Sequence, residues 1–298
     1  MLYNNLSTYL REKYGKRLKK ICIDGGFSCP NRDGKCGTGG CIYCGERGAG
    51  EHIDNAPTIT EQVRYALNGA SENDNFIAYF QNFTNTYAPV NVLRERYNEA
   101  LIDDRIKILA IGTRPDCIDD EIADLIAEYT KKREVWVELG LQTASDETAK
   151  RINRGYETKV FDEAYKILSD RGIRVVVHMI IGLPGENLDD YKYTADYIAK
   201  KRPFGVKIHS IYVMEGTALA ELYNKKSYTP PSLDDYKVAA AYAVARMPHD
   251  TVIHRLTGDC PRDMLIAPDW NKDKNEIIRA ITDTLKSNGW KQGSLNDS

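Results

Sequence analysis

Apolar, strand-like runs alternate with amphipathic helical stretches between residues 20 and 217 of the 298-residue chain. Before the fourth run, for example, Ile122, Leu125, Ile126 and Tyr129 recur at the spacing of one helix face. A repeated strand–helix order implies parallel strands joined by right-handed crossovers, so the sequence predicts an α/β fold. The six predicted strands lie at residues 20–24, 76–80, 106–113, 135–143, 173–184 and 206–214.

The predicted strands are almost continuously apolar, which suits a barrel or a doubly wound sheet equally. Polar, Gly-rich or Pro-rich residues follow their C-terminal ends, as at 81–86, 113–116 and 182–186. Several such ends meeting at one mouth are more typical of a βα barrel than of a single crevice. We therefore predict a partial (β/α)6 TIM-like barrel over residues 20–217. A basic N-terminal segment (1–19) precedes the barrel, and a C-terminal extension (218–298) packs on it.

Three cysteines, Cys29, Cys41 and Cys44, follow the first predicted strand on a loop rich in Gly, Pro, Asn and Asp. The two-residue gap between Cys41 and Cys44 lets both sulfurs face one iron–sulfur cluster. Three thiolates can hold a four-iron cluster and leave one iron open for chemistry. Cys36 lies between them in the sequence, so a closed structural zinc site with four thiolates is the alternative.

Other features indicate the compartment and limit the partners. The seven cysteines are an odd number and no secretory pattern opens the sequence, so a disulfide framework is not expected. No apolar run approaches the roughly 20 residues that cross a bilayer, so we predict a cytoplasmic protein without a membrane partner. The net charge of −2 gives no global case for nucleic acid, but a dense group of cations before the first strand is a candidate phosphate-contact segment. These cations are Arg11, Lys13, Lys16, Arg17, Lys19 and Lys20.

The cysteine triad, with Tyr43 inside its close pair, and the late string HMIIGLPGE resemble the radical S-adenosylmethionine (SAM) superfamily. The gap of eleven residues between Cys29 and Cys41 departs from the commoner spacing of that superfamily but matches a narrower branch. Six strings in this sequence resemble that branch, which is of the YtqA/YhcC type and is related to the elongator catalytic subunit. They are CPNRDGKCGTGGCIYC, YFQNFTNTYAP, IGTRPDCI, VELGLQT, INRGYE and RLTGDCPRDMLIAPDW.

The resemblance implies a [4Fe-4S] cluster on Cys29, Cys41 and Cys44, with SAM bound to the open iron. Reductive cleavage of SAM would give a 5′-deoxyadenosyl radical that abstracts hydrogen from a substrate. The protein would hold the reactive carbon of SAM against one C–H bond and exclude water. Tyr43 is a candidate cofactor contact, and Cys36 is expected to be a bystander or a redox-active spare.

The resemblance also implies contacts to SAM. Gln81, Asn82 and Thr84 follow the second strand, where related enzymes hold the methionyl ammonium. Gln142 ends the fourth strand. Arg154 lies in the INRGY turn, where related sequences place a guanidinium near the SAM carboxylate, and its planar fork suits that contact.

Two polar residues interrupt apolar strands. A carboxylate at Glu138 is costly unless it is paired or lines a cavity, so a ribose or ammonium contact is predicted. His178 is either a hydrogen-bonded core residue or a site residue, and we favour the site because its strand leads into GLPGE. His209 and Tyr212, on the sixth strand, fit core packing and substrate contact equally well.

The similarity to the elongator catalytic subunit implies a radical SAM enzyme that modifies the 5-position side chain of a tRNA wobble uridine. Its partners would be tRNA and a reducing electron donor of the flavodoxin or ferredoxin type. One alternative is radical chemistry on a peptide or a small metabolite. Another is a non-catalytic iron–sulfur or zinc module that binds RNA.

Overall fold

A curled sheet of parallel strands dominates the computed structural model, which describes residues 2–48 and 58–296. The strands are β1 (Lys19–Ile23), β2 (Phe76–Phe80), β3 (Ile106–Thr113), β4 (Glu134–Gln142), β5 (Arg174–Ile181), β6 (Gly205–Ser210), β7 (Val213–Met214), β8 (Val252–Arg255) and β9 (Leu265–Ala267). Seven of them form the main sheet in the order β1-β2-β3-β4-β5-β6-β8, with every neighbouring pair parallel. The sheet is curled into a half-barrel, so the predicted α/β partial barrel is confirmed.

The last third of the chain also contributes to the sheet. The predicted strand 206–214 is wrong at its end, because β6 stops at Ser210 and β7 pairs antiparallel with β9 in a separate ribbon. Strand β8, from the predicted C-terminal extension, pairs with β6 and becomes the seventh strand of the main sheet. The extension therefore completes the half-barrel as well as covering it.

Helices cover the outer face of the sheet. In the described ranges they are α1 (Leu6–Tyr14), α2 (Ile59–Leu67), α3 (Val90–Ala100), α4 (Asp120–Thr130), α5 (Asp146–Arg151), α6 (Thr158–Asp170), α7 (Leu188–Lys201), α8 (Ala218–Asn224), α9 (Leu233–Arg246) and α10 (Lys274–Ser287). Most begin at a side chain that accepts a backbone N–H, such as Asp119 for α4 or Asn187 for α7. The buried faces of α2, α3, α4, α6, α7, α9 and α10 join the outward-facing strand residues in one large apolar core.

Alternate strand residues face the inside of the half-barrel, because strand side chains point to opposite faces in turn. At the N-terminal end of the strands, Ile77, Ile108, Trp136 and Val176 form a second apolar core that packs against Leu10 of α1. This layer closes the lower end of the half-barrel. The opposite end, where the strands have their C-termini, carries the polar loops.

A search of the described residues for membrane-spanning helices finds none of sufficient length and apolar character.

Candidate active site

A cleft of about 230 Å³ opens at the C-terminal ends of the strands. Because these ends of parallel strands meet at one edge of the half-barrel, loops distant in sequence share its walls. The predicted site residues that line it are Cys29, Cys41, Tyr43, Cys44, Gln81, Thr84, Glu138, Gln142 and His178.

The loop after β1, residues 24–48, is called the cysteine loop here, and two side chains fix its shape. Asn31 donates to the carbonyl of Asn153 (2.6 Å), while Asn153 donates back to the carbonyl of Gly40 (2.7 Å). Arg32 donates to the carbonyl oxygens of Cys44 and Glu46, both at 3.3 Å. The loop is thus tied both to itself and to the INRGY turn that follows α5.

The sulfurs of Cys41 and Cys44 are in hydrogen-bond contact and Cys29 lines the same cleft. The thiol of Cys44 donates to Cys41, and this bond lowers the pKa of Cys41 against the opposing effect of burial. The pKa of Cys44 is correspondingly raised, because its proton is shared with Cys41. The thiolate is the form that binds metal.

The donor set fits an iron–sulfur cluster. Among the described residues, no three His, Cys, Asp or Glu side chains surround a single metal-ion position. A four-iron cluster instead binds each cysteine through a separate iron, so its ligand sulfurs need only face one cavity. The buried Thr84 Oγ1 and His209 Nε2 lack a hydrogen-bond partner and belong to cleft residues, as expected where a polar ligand such as SAM binds.

Cys36 lies apart from the other three cysteines of the loop. It is exposed, does not line the cleft, and contacts Asp116. Burial of the sulfur and the Asp116 charge raise its pKa. A cluster held in the cleft by Cys29, Cys41 and Cys44 would therefore not have Cys36 as a fourth ligand.

Gln142 has an unusual backbone where β4 ends. Its φ is 62°, in the left-handed region, and the pairing of β4 with β5 shifts register between Gly140 and Gln142. The hydroxyl of Tyr156 donates to the carbonyl of Gly140 (2.9 Å) and to Oε1 of Gln142 (3.1 Å). Such bulges re-aim side chains at sites, and this one directs Gln142 into the cleft.

Asn82 and Arg154 are the two predicted SAM contacts that the structure does not bring into the cleft. Asn82 is buried and donates to Oδ2 of Asp24 at 2.8 Å. Arg154 is fully buried, and its guanidinium donates to the carbonyls of Leu141 and Thr143. Leu141 lies at the register shift of β4 and Thr143 follows the end of that strand, so the guanidinium satisfies their carbonyls and does not line the cleft.

The sequence reasoning missed Arg114 and Tyr156 as cleft residues. Arg114 donates through Nε and Nη2 to the carboxylate of Asp116 (2.9 and 2.6 Å) and through Nη1 to the carbonyl of Arg154. The ring of Tyr156 is in contact with the guanidiniums of both Arg114 and Arg154, whose carbons are 4.8 and 4.5 Å from its centroid. The available signals were the polar string TRPD after β3 and the aromatic residue of INRGY. His209 and Tyr212, left open from sequence, both line the cleft.

A charged layer forms the floor of the cleft, above the apolar core at the lower end. Glu138 forms an ion pair with Lys207, and both side chains are almost fully buried. Nζ of Lys207 also donates to the hydroxyl of Tyr79 (3.2 Å), and Nε2 of His178 lies 3.0 Å from Oε2 of Glu138. Burial raises the pKa of a carboxyl, but the Lys207 charge and the hydrogen bond from His178 hold that of Glu138 well below its usual range. Burial lowers the pKa of Lys207, with Glu138 opposing the shift.

The basic N-terminal segment lies at the other end of the half-barrel. Lys13 is ion-paired with Glu134, the first residue of β4, and Lys19 with Asp74, which precedes β2. Lys16 donates to the carbonyl of Asn73. These cations therefore surround the N-terminal ends of the strands and do not line the cleft.

Comparison with known proteins assigns the family. A model described as the Radical SAM superfamily matches residues 34–198, and one described as the Radical_SAM C-terminal domain matches residues 203–287. The chain therefore belongs to the radical SAM superfamily. Membership implies that the protein binds a [4Fe-4S] cluster and SAM.

The chain is also similar to individual proteins along most of its length. The chain is 38% identical to YtqA of Bacillus subtilis (strain 168) over 297 residues, which cover 98% of this chain and 92% of YtqA. It is 35% identical to YhcC of Escherichia coli (strain K12) over 274 residues, or 92% and 89% of the two chains. The archaeal Elp3 of Methanocaldococcus infernus has a similar fold, with a TM-score of 0.69 at 18% identity, over 92% of this chain and 64% of that one.

Proposed function

We propose that this protein is a radical SAM enzyme that modifies the 5-position side chain of a wobble uridine in tRNA. The observation that carries the proposal is a single cleft that joins three cysteines on one wall to aromatic and imidazole side chains on the others. When bound, the cluster and SAM supply abstraction of a hydrogen atom from an unactivated C–H bond. The role of this chain is to hold that bond near the cysteine loop and to exclude water.

The cleft has the chemistry that an extruded base requires. An anticodon loop is single-stranded, so one of its bases can leave the stack and enter a pocket lined by aromatic side chains. Phe83, Tyr156 and Tyr212 line the cleft together with polar groups that can contact base edges. Elp3 is the elongator catalytic subunit. The resemblance of this chain to that subunit implies chemistry on a wobble uridine and therefore supports a tRNA substrate.

One cation that fits a phosphate contact at this end of the molecule is Lys35. It lies on the cysteine loop, is exposed, and has its ammonium 5.0 Å from the ring centroid of Tyr87. The N-terminal cations are less suited, since they lie around the opposite ends of the strands. Phosphate contacts near the cleft would hold the anticodon loop while one base enters it.

The test compares modified nucleosides in tRNA, by mass spectrometry, from a strain that lacks this protein and from complemented strains. We expect one wobble-uridine derivative to change in the deletion strain. The wild type and Cys36→Ala should both restore it, whereas Cys41→Ala should not. Cys36→Ala is the matched control, because it removes a cysteine of the same loop that lies outside the cleft. Identical nucleoside profiles in all strains would refute the tRNA substrate and favour a peptide or a small metabolite.

A further inference from the structure

The half-barrel has a side opening, because its sheet does not close. The edge strands are β1 and β8, and in the described part of the chain no strand pairing joins them. The N-terminal stretch covers part of the edge of β8, where the backbone N–H of Ile253 donates to the carbonyl of Asn4 (2.8 Å). Beyond this contact, toward the C-terminal end of β8, the two edges border the opening.

Two adjacent lysines of β1 face opposite sides of the sheet. Ile21 belongs to the outer core, so the alternation of strand side chains places Lys19 outside and Lys20 inside. Lys19 is ion-paired with Asp74. Lys20 has no carboxylate partner among the described residues, and its ammonium lies 4.9 Å from the ring centroid of Tyr79. The inner face of β1 therefore presents an unpaired cation at the opening.

Lys207 and Arg255 bring two further cations to the same level of the half-barrel. They are paired across β6 and β8, and the ammonium of Lys207 lies 4.6 Å from the ring centroid of Tyr79, which lines the cleft. Nη2 of Arg255 is 3.4 Å from Oδ2 of Asp259, while Nζ of Lys274 is 2.6 Å from the other oxygen of that carboxylate. The long contact is weak, so Arg255 retains N–H donors for another acceptor.

The three cations crowd one another. Burial lowers the pKa of Lys207 to about 7; Glu138 opposes this shift, and the charges of Lys20 and Arg255 add to it. The same three cations act on the thiol of Cys22, which is exposed. Like charges in one hollow repel one another, and an anion placed among them removes the repulsion. The opening therefore has the electrostatic character of an anion site.

We propose that Lys20 and Arg255 bind an oxyanion, a phosphate or carboxylate group, of a substrate that enters the cleft. An ammonium and a guanidinium suit such a group, because both form charge-assisted hydrogen bonds with its oxygens. The oxyanion has two sources, a phosphodiester of an RNA or a carboxylate on the substrate. For the first source the inference rests on the proposed function. Binding at the opening orients the substrate and selects against neutral ligands.

The thiol of Cys22 reports the charge at this site. Iodoacetate is an anion and iodoacetamide is neutral, but both attack the same thiolate, so a change in the pKa of Cys22 cancels in the ratio of their rates. Mass spectrometry of the anaerobic, cluster-loaded protein gives this ratio for Cys22 and, as an internal reference, for the exposed Cys36. We expect Lys20→Gln to lower the Cys22 ratio about threefold, the effect of one charge roughly 6 Å away in water. Lys19→Gln should leave it unchanged, and neither variant should alter the Cys36 ratio.

Added anions test binding and distinguish the two sources. Inorganic phosphate or acetate should protect Cys22 from iodoacetamide saturably, whereas sodium chloride of equal ionic strength should not. Lys20→Gln and Arg255→Gln should each weaken this protection about tenfold, the effect of one lost charged hydrogen bond, and Lys20→Arg should retain most of it. Stronger protection by acetate assigns a carboxylate. Protection by an anticodon stem-loop RNA that is lost in Lys20→Gln assigns a phosphodiester.

Several results overturn the proposal. They are equal effects of chloride and the oxyanions, equal effects of Lys19→Gln and Lys20→Gln, and a Cys22 thiol that phosphate, acetate and the stem-loop all leave unprotected. The phosphate and acetate measurements do not depend on tRNA modification. If the comparison of strains leaves tRNA nucleosides unchanged while either anion still protects Cys22, the proposed function fails and the oxyanion site stands.

Discussion

The ammonium of Lys13 lies 2.7 Å from a carboxylate oxygen of Glu134, at the end of the half-barrel opposite the cysteine loop. Tyr9 and Tyr14 of α1 donate to the same carboxylate at 2.6 Å each, and Trp136 does so at 2.7 Å. One buried carboxylate therefore attaches the N-terminal helix to the closed end of the half-barrel. This accounts for Lys13, one of the cations of the N-terminal segment, without a nucleic acid.

We expect Glu134 to make stability depend on pH. Burial alone would raise its pKa, but the hydrogen bonds from Lys13, Tyr14, Tyr9 and Trp136 lower it to about 2 from the ordinary 4.5. A lowered carboxyl pKa stabilises the folded state fully above the unfolded value, and this contribution is lost as the pH falls through the folded value. Glu134→Gln should lose about 3 kcal/mol of unfolding free energy near pH 7, measured by urea denaturation. The difference from wild type should shrink from about pH 4.5 downward and vanish near pH 2.

The control for this experiment is Glu128→Gln, which removes an exposed carboxylate paired with Arg94. Exposed pairs contribute little, so its effect should stay within about 0.5 kcal/mol at every pH. Equal effects of the two substitutions would show that Glu134 does not anchor α1.

The cysteines of the loop should separate into ligands and a bystander. Cys29→Ala, Cys41→Ala and Cys44→Ala each remove a sulfur that lines the cleft, so each should lose most iron and sulfide after anaerobic reconstitution. Cys36→Ala should keep wild-type iron and the same visible absorption. Chemical analysis of iron and sulfide gives the result, and equal loss in Cys36→Ala would contradict the assignment.

RNA binding should respond to charge at the cleft end of the molecule. Lys35→Glu reverses an exposed cation on the cysteine loop and should weaken binding of an anticodon stem-loop. The slope of log K against log salt should become smaller by about 0.7 for each lost phosphate contact. Arg11→Glu reverses another exposed cation at the opposite end and should leave the slope unchanged. A larger effect at Arg11 would move the RNA to the closed end.

Gly182, directly after β5, should be intolerant of a side chain. Its φ is 107°, and an added Cβ would lie 2.4 Å from Cγ2 of Ile211 and 2.8 Å from Cδ of Pro231. Gly182→Ala should cost about 2–4 kcal/mol of unfolding free energy by urea denaturation, from strain and overpacking together. Gly172→Ala, with φ of 68° but open space around the Cβ, should cost only about 1 kcal/mol. Similar losses at both glycines would exclude packing against Ile211 as the cause.

The sequence by itself determined the α/β alternation, the strands and the cysteine loop. These features depend on neighbours along the chain: apolar periodicity defines β2 and β3 to the residue, and glycine and proline end the strands. The family followed from strings of adjacent residues for the same reason. Convergence of Gln81, Thr84, Gln142 and His178 on one cleft could be predicted because parallel strands have their C-terminal ends on one side.

Only the tertiary structure decided the partners of individual side chains. Glu138 and Lys207 are separated by 69 residues, and their ion pair depends on the register of β4, β5 and β6 and on the curl that brings inward residues together. Arg154 fits a SAM contact by sequence, yet the bulge in β4 leaves carbonyls that take its guanidinium. The sequence does not indicate a partner for Lys13. In the structure α1 packs at the closed end of the half-barrel, where Lys13 forms an ion pair with Glu134. Local sequence patterns determine the strand, helix or loop on which a side chain lies. The partner of that side chain depends on long-range packing, which no spacing along the chain encodes.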